Sequence, residues 1–230
     1  MDQQIRLFGA VAVRPAVLAV IPRFETITGY KVAARWELNP AVRTQIEAGE
    51  PFDLVITNPN LIEELVSLGK IRAGSQVTFG RIAMGVAARE GSRALDIGSV
   101  EAFKQTLKGA RSIAYASDGT SGGYFSGLLE RLGIAGEVKP KLVPVSGGQT
   151  AAAVGRGEAD LGVVPVTSIL AAAPEAKLVG RFPAELQSYI DFAIGIGTDP
   201  TDTEAASQLS AFLVSADIDE TLSARGIERS

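Results

Sequence analysis

Apolar positions along this chain change period in a regular way. Short runs of β-branched and apolar residues alternate with longer stretches in which apolar residues return every three or four positions, the marks of strands and amphipathic helices. Gln4 to Gly9 reads as a strand, and Pro15 to Ile27 as a helix closed by Gly29. Pro15 suits a first helical turn, where a missing N–H costs nothing, whereas Pro22 is expected to bend or break the helix. Tyr30 to Trp36 is the second strand. Asn39-Pro40 supplies an N-cap side chain followed by a first-turn proline, and the helix it opens runs to Ala48 before Gly49. Phe52 to Thr57 is the third strand, and Asn58-Pro59 opens a helix carrying Leu61, Ile62, Leu65, Val66 and Leu68. This order predicts a parallel sheet with helices on both faces, an α/β fold.

The same rhythm returns further along. Ser112 to Ala116 is a strand, followed by the glycine-rich loop Ser117 to Tyr124 and an amphipathic run from Phe125 to Leu132 that stops at Gly133. Such a loop sets free backbone N–H groups and hydroxyls at the positive end of a helix, where an anion is stabilised. No Lys-Ser or Lys-Thr follows the glycines, and the G-x-G-x-x-G spacing is absent, so neither a Walker loop nor a dinucleotide fingerprint is present. A turn and a cap remain the plainer reading of the loop taken alone. The stretch from Gln45 to Ile56, with Gly49-Glu50 before Asp53, is echoed from Gln149 to Val164, with Gly157-Glu158 before Asp160. Two α/β lobes of similar plan therefore fit better than one continuous sheet.

Residues 1–79 with 198–230 are expected to form the first lobe and 88–187 the second. The extended runs 80–87 and 188–197 would cross between them as a two-strand hinge. Thr201 to Glu204 and Asp217 to Glu220 have the spacing of capping boxes and predict two final helices packed on the first lobe. In parallel sheets ligands bind beyond the carboxyl ends of strands. On the first lobe those corners hold Arg14, Asn39, Thr57 and Asn58. On the second they hold Ser117, Thr120, Ser121 and Gly122, then Ser146 and Gly147, then Thr167.

Composition changes the picture mainly by what it removes. The 230 residues contain neither Cys nor His, which excludes disulfides, thiolate nucleophiles and most zinc or iron sites, together with the commonest neutral-pH base. No metal and no cofactor is expected. A net charge of −4 without basic clusters argues against nucleic acid and anionic membranes as partners. No window of 18 apolar residues is present, so direct membrane insertion is not expected. The chain enters its first strand at once. The expectation is a periplasmic protein if a leader has been removed, and a cytoplasmic one otherwise.

These stretches resemble the type II periplasmic solute-binding proteins, in particular the molybdate-binding-protein-like branch. The resemblance is carried by Phe8-Gly9-Ala10, the run Phe24 to Gly29, Gln45 to Asp53, Ser121 to Tyr124, Lys139 to Val143 and Gly157 to Asp160. It covers nearly the whole chain. It implies two α/β lobes joined by a two-strand hinge, with an oxyanion held in a cleft between them by hydroxyls and N–H groups at helix starts. Carried over, those groups are Asn39, the Ser121-Gly122 corner, the Ser146-Gly147 corner and the corner from Pro165 to Ser168. Where molybdate binders place a Ser after the first strand, this chain has Ala12 followed by Val13 and Arg14, and Asn39 stands roughly where they have another Ser. Arg14 and Arg81 could each grip a carboxylate with two guanidinium N–H groups, so the departures suggest a small organic anion.

The expected function is a monomeric solute-binding protein that closes on a small anion, an organic carboxylate or oxyanion, and presents it to an ABC-type membrane transporter. The rival is an isomerase on the same scaffold, resembling the aconitate isomerases, with Asp118, Tyr115 or Tyr124 as the base. A cytosolic anion-sensing protein is a third reading.

Overall fold

The structure is a computed structural model that describes residues 4–229. The chain divides into two compact units. Unit 1 is Met1–Arg81 with Asp191–Ser230, of which residues 4–81 and 191–229 are described, and unit 2 is Ile82–Ile190.

Unit 1 begins with β1 (Gln4–Ala10), a short 3-10 turn, α1 (Arg14–Thr28), β2 (Lys31–Glu37), α2 (Asn39–Glu47), β3 (Leu54–Thr57) and α3 (Pro59–Ser67). The first part of β4 (Val77–Arg89) also belongs to it, and the rest of β4 enters unit 2. Unit 2 continues with α4 (Val100–Gly109), β5 (Ile113–Ala116), α5 (Thr120–Arg131), α6 (Ala135–Val138), β6 (Leu142–Val145), α7 (Thr150–Gly155), β7 (Leu161–Pro165), α8 (Val166–Ala171) and β8 (Ala176–Arg181). The chain returns to unit 1 within β9 (Tyr189–Ile196) and ends with α9 (Thr203–Leu213), α10 (Asp219–Ala224) and β10 (Ile227–Glu228), which pairs with β4.

The two sheets repeat one plan. In unit 1 the parallel strands run in the order β2-β1-β3, and β9 joins β3 antiparallel. In unit 2 the parallel order is β6-β5-β7, and β4 joins β7 antiparallel, with β8 on its other side. Each sheet therefore has the first strand of its trio at the centre and one antiparallel strand beside the third. Parallel strands covered on both faces need apolar residues at every position, which is why β3 and β7 are buried throughout.

Apolar packing holds each sheet between helices. In unit 1 Val42 and Ile46 of α2 and Leu61, Ile62 and Leu65 of α3 meet Phe8 and Val55 of the sheet. On α1, Ala16, Val17, Val20, Ile21 and Phe24 form the buried stripe, and Phe24 meets Phe212 of α9 with ring centroids 5.4 Å apart. Each fully buried side chain of this size contributes about 1.5–3 kcal/mol. In unit 2 Phe103, Phe125, Leu128 and Leu129 pack with Phe182, whose ring lies edge-on to Phe103 at 4.8 Å.

Three local expectations are corrected. The helix α1 does not break at Pro22. The bond lost there is the one to the Leu18 carbonyl; Leu18 is 43% exposed, so water can take the missing partner's place. The cap of α9 is Asp202, whose side chain accepts from the Ala205 N–H at 3.0 Å, one residue beyond the expected Thr201. Thr201 has another task, since its N–H donates to Asp53 Oδ1 at 2.7 Å. Asp217 caps nothing, because a 3-10 turn, Ala216–Ile218, intervenes and makes Ile218 the residue before α10.

Candidate functional site

Within each unit the parallel strands point the same way, so their carboxyl ends share one edge and deliver the chain into helix starts. In unit 1, β1 leads through Val11–Val13 into α1, whose first residue is Arg14. Arg14 is exposed and makes no ion pair among the described residues. A cation at the positive end of a fifteen-residue helix opposes the helix dipole. Its placement does nothing for the helix, and a bound anion would relieve it.

Asn39 and Asn58 were expected to cap α2 and α3 with their side chains, and neither does. Leu38 occupies the cap position of α2, which puts Asn39 inside the first turn. The Asn39 side chain is drawn instead to the end of β3, where the buried Thr57 hydroxyl donates to its Oδ1 at 2.8 Å. That fixes the carbonyl end of the amide inward and leaves its two N–H donors uncommitted. Asn58 is the cap residue of α3, and its Oδ1 lies 3.4 Å from the Thr57 hydroxyl. Arg81 is half-buried, and its Nε lies 3.4 Å from Glu228 Oε2, so a carboxylate of the protein already faces it.

In unit 2 the corner after β5 is shaped by Gly122. A Cβ there would lie 1.8 Å from the Ala116 carbonyl oxygen, so only glycine lets α5 start this close to its strand. The Gly122 and Gly123 N–H groups both donate to the Gly119 carbonyl, at 3.1 and 3.2 Å. Thr120 and Ser121, ahead of them in the first turn, have no acceptor within the helix. Ser121 is buried at 7% exposure, and Ser117 and Thr120 are exposed.

The neighbouring corner is tied to this one. Asp118 accepts the Gly147 N–H at 3.0 Å, which removes that N–H from the expected donor set. Ser146 stays exposed at the same turn. Thr167 is fully buried in α8, after the Pro165 that ends β7. Of the two phenols, Tyr115 is half-buried beside Phe125 at 6.5 Å, and Tyr124 donates its O–H to the Leu186 carbonyl at 2.7 Å beneath the Arg131 guanidinium.

At the opposite ends of the strands lies a pair of motifs whose arginines sequence reasoning missed. Arg6 and Arg111, at the starts of β1 and β5, each give a backbone N–H and a two-pronged guanidinium to an Asp just before the third strand of the trio, Asp53 and Asp160. Burial alone would raise the Asp53 carboxyl; the Arg6 guanidinium and the N–H groups of Arg6 and Thr201 outweigh it and hold the group below the usual range. Arg111 chiefly lowers Asp160. The echo around the two aspartates was the available signal. Among the described residues no group of three or more His, Cys, Asp or Glu could hold a metal, and no helix is long and apolar enough to cross a membrane.

Two α/β units of matching strand order, the second spliced into the first, define the type II periplasmic binding protein fold. The periplasmic molybdate-binding protein of Azotobacter vinelandii has it, with a TM-score of 0.81 at 21% identity over 98% of this chain and 99% of that one. A family model described as bacterial extracellular solute-binding protein matches residues 5–228, and the chain belongs to that family. It is 31% identical over 217 residues to an aconitate isomerase from Pseudomonas sp., covering 91% of this chain and 81% of that protein. It is 26% identical over 200 residues to the molybdate-binding protein ModA of Escherichia coli strain K12, covering 85% and 77%. These relatives place it in the molybdate-binding-protein-like branch.

Proposed function

We propose that this solute-binding protein works in the periplasm, the compartment in the name of the Azotobacter vinelandii molybdate-binding protein, where it takes a small organic anion with more than one carboxylate and delivers it to an ABC-type transporter. The observation that carries the reading is Arg14, an exposed guanidinium without an ion-pair partner among the described residues, set at a helix start at an electrostatic cost. In unit 1 the Asn39 amide, turned by Thr57, also offers its N–H donors. In unit 2, taken by itself, the Ser121 hydroxyl and the first-turn N–H groups of α5 offer donors of the same kind. An anion gains from such helix starts and from charge-assisted bonds of about 1.5–3 kcal/mol each. Guanidinium and amide groups in place of small hydroxyls offer the paired N–H donors that a carboxylate accepts.

A thermal-shift screen over molybdate, sulfate and di- and tricarboxylates identifies the ligand, and calorimetry then measures the variants. Arg14→Ala is expected to weaken binding at least tenfold, about 1.4 kcal/mol, with the melting temperature unchanged. Ser121→Ala should weaken it less, because the neighbouring N–H groups remain. Parent-like affinity in Arg14→Ala would remove Arg14 from the site.

The likeness to an aconitate isomerase favours a second reading, proton transfer on a bound tricarboxylate. Of the candidate bases, Tyr124 is bonded to a main-chain carbonyl, whereas the exposed Asp118 carboxylate needs only to release one N–H. Deuterium appearing in recovered aconitate after incubation in heavy water, and lost in Asp118→Asn, would decide for the isomerase; no exchange leaves binding alone.

A further inference from the structure

At the amino ends of β5 and β7, the edge opposite the ligand corners, unit 2 contains a cavity of about 520 Å³. Arg89, Arg93 and Arg111 line it, with Thr106 and Asp160. Arg111 is committed to Asp160 through bonds of 3.0 and 2.8 Å. Arg89 and Arg93 make no salt bridge among the described residues. Arg89 is held against the loop at Gly157, which has φ +78° and where a Cβ would stand 3.0 Å from Arg89 Nη1. Three guanidinium groups thus share the cavity with one carboxylate.

Unit 1 supplies an internal comparison. A cavity of about 580 Å³ sits at the matching strand ends and is lined by Arg6 and Lys70 but also by Glu50 and Asp199. The repeated plan kept the hollow in both units, and only unit 2 fills it with excess positive charge. Like charges gathered in a hollow repel, and the arrangement is relieved by a counter-charge from outside. Guanidinium forks match phosphate oxygens in pairs, and a hollow of this size admits more than one such group.

We propose that this cavity is a second anion site, distinct from the strand-end corners, that takes a small polyanion of the phosphate type through Arg89 and Arg93, while Arg111 of the same lining stays engaged by Asp160. The site does not depend on the identity of the ligand proposed above. Its test is calorimetry of the full chain with inorganic pyrophosphate at constant ionic strength. One saturable event is expected, weakened at least tenfold in Arg89→Ala/Arg93→Ala and largely restored in Arg89→Lys/Arg93→Lys. Ser121→Ala and Arg14→Ala should leave it unchanged. Both target arginines are exposed, so an unchanged circular-dichroism melt is expected to certify the fold. Absence of saturable pyrophosphate binding, binding that survives the double alanine variant, or binding abolished by Ser121→Ala would each overturn the proposal. Failure of every carboxylate to bind, with pyrophosphate behaving as expected, would count only against the function proposed for the corners.

Discussion

Arg6–Asp53 in unit 1 and Arg111–Asp160 in unit 2 occupy the same place in a repeated plan and live in different surroundings. The Asp53 side chain is 2% exposed, and its partner 34%. At Asp160 the figures are 32% and 88%. The difference comes from what lies above. The segment before α9 crosses Asp53 and adds the Thr201 N–H, whereas the Asp160 side opens into the arginine-lined cavity. One copy became an internal clamp between strands; the other kept the same bonds and stayed in water. Equivalent contacts are therefore expected to carry unequal weight, because water replaces a lost carboxylate poorly at the buried Asp53 position and readily at the half-open Asp160 position.

The largest test is to cut both clamps. Asp53→Ala is expected to cost about 2–3 kcal/mol, since it removes a buried carboxylate and leaves the partly exposed Arg6 guanidinium and the N–H groups of Arg6 and Thr201 without their acceptor. Asp160→Ala should cost about 1 kcal/mol or less, as for other exposed pairs. Urea unfolding of the two variants measures the gap, and equal losses would break the comparison. A second contrast lies between neighbouring glycines at the other strand ends. Gly122→Ala drives a methyl into the Ala116 carbonyl and should destabilise by about 1–3 kcal/mol. At Gly123 nothing lies within 4 Å, so Gly123→Ala should gain up to about 1 kcal/mol from helix propensity, both read from thermal melts.

The smallest effect is the acid limb. Asp53 has its carboxyl lowered in the folded state, so its contribution is complete above the unfolded value of about 3.9 and is lost as pH falls through the lower folded value. Asp53→Asn should therefore be less stable than the parent at pH 6 and lose less on acidification below about pH 4. A parent-like slope for that variant between pH 2 and 5 would show that Asp53 does not govern the limb.

Much of the fold was legible because buried parallel strands must be apolar at every position and helices must return apolar residues at their own period. The echo of Gly-Glu before Asp exposed the repeated plan. The partners of those aspartates were not legible, because Arg6 and Arg111 lie 47 and 49 residues away and a surface arginine at a strand start looks ordinary in one dimension. The corners were readable as helix starts, but which donors remain uncommitted was not. Asn39 looks like a cap until Thr57, eighteen residues on, draws its side chain away. Gly147 looks like a free N–H until Asp118 takes it.

Unit 2 is one unbroken stretch, whereas unit 1 is made of two, and this orders events on the ribosome. Every parallel pairing of unit 2 joins segments translated within a few dozen residues of one another, and its antiparallel strands are in hand before β9 is made. Unit 1 can align β2-β1-β3 early, but Leu54 waits for Ile196 and α1 waits for α9 and α10. The half synthesised first is thus the half completed last, and until translation reaches β9 the nascent chain carries an open strand edge at β3, the surface a chaperone would have most reason to shield.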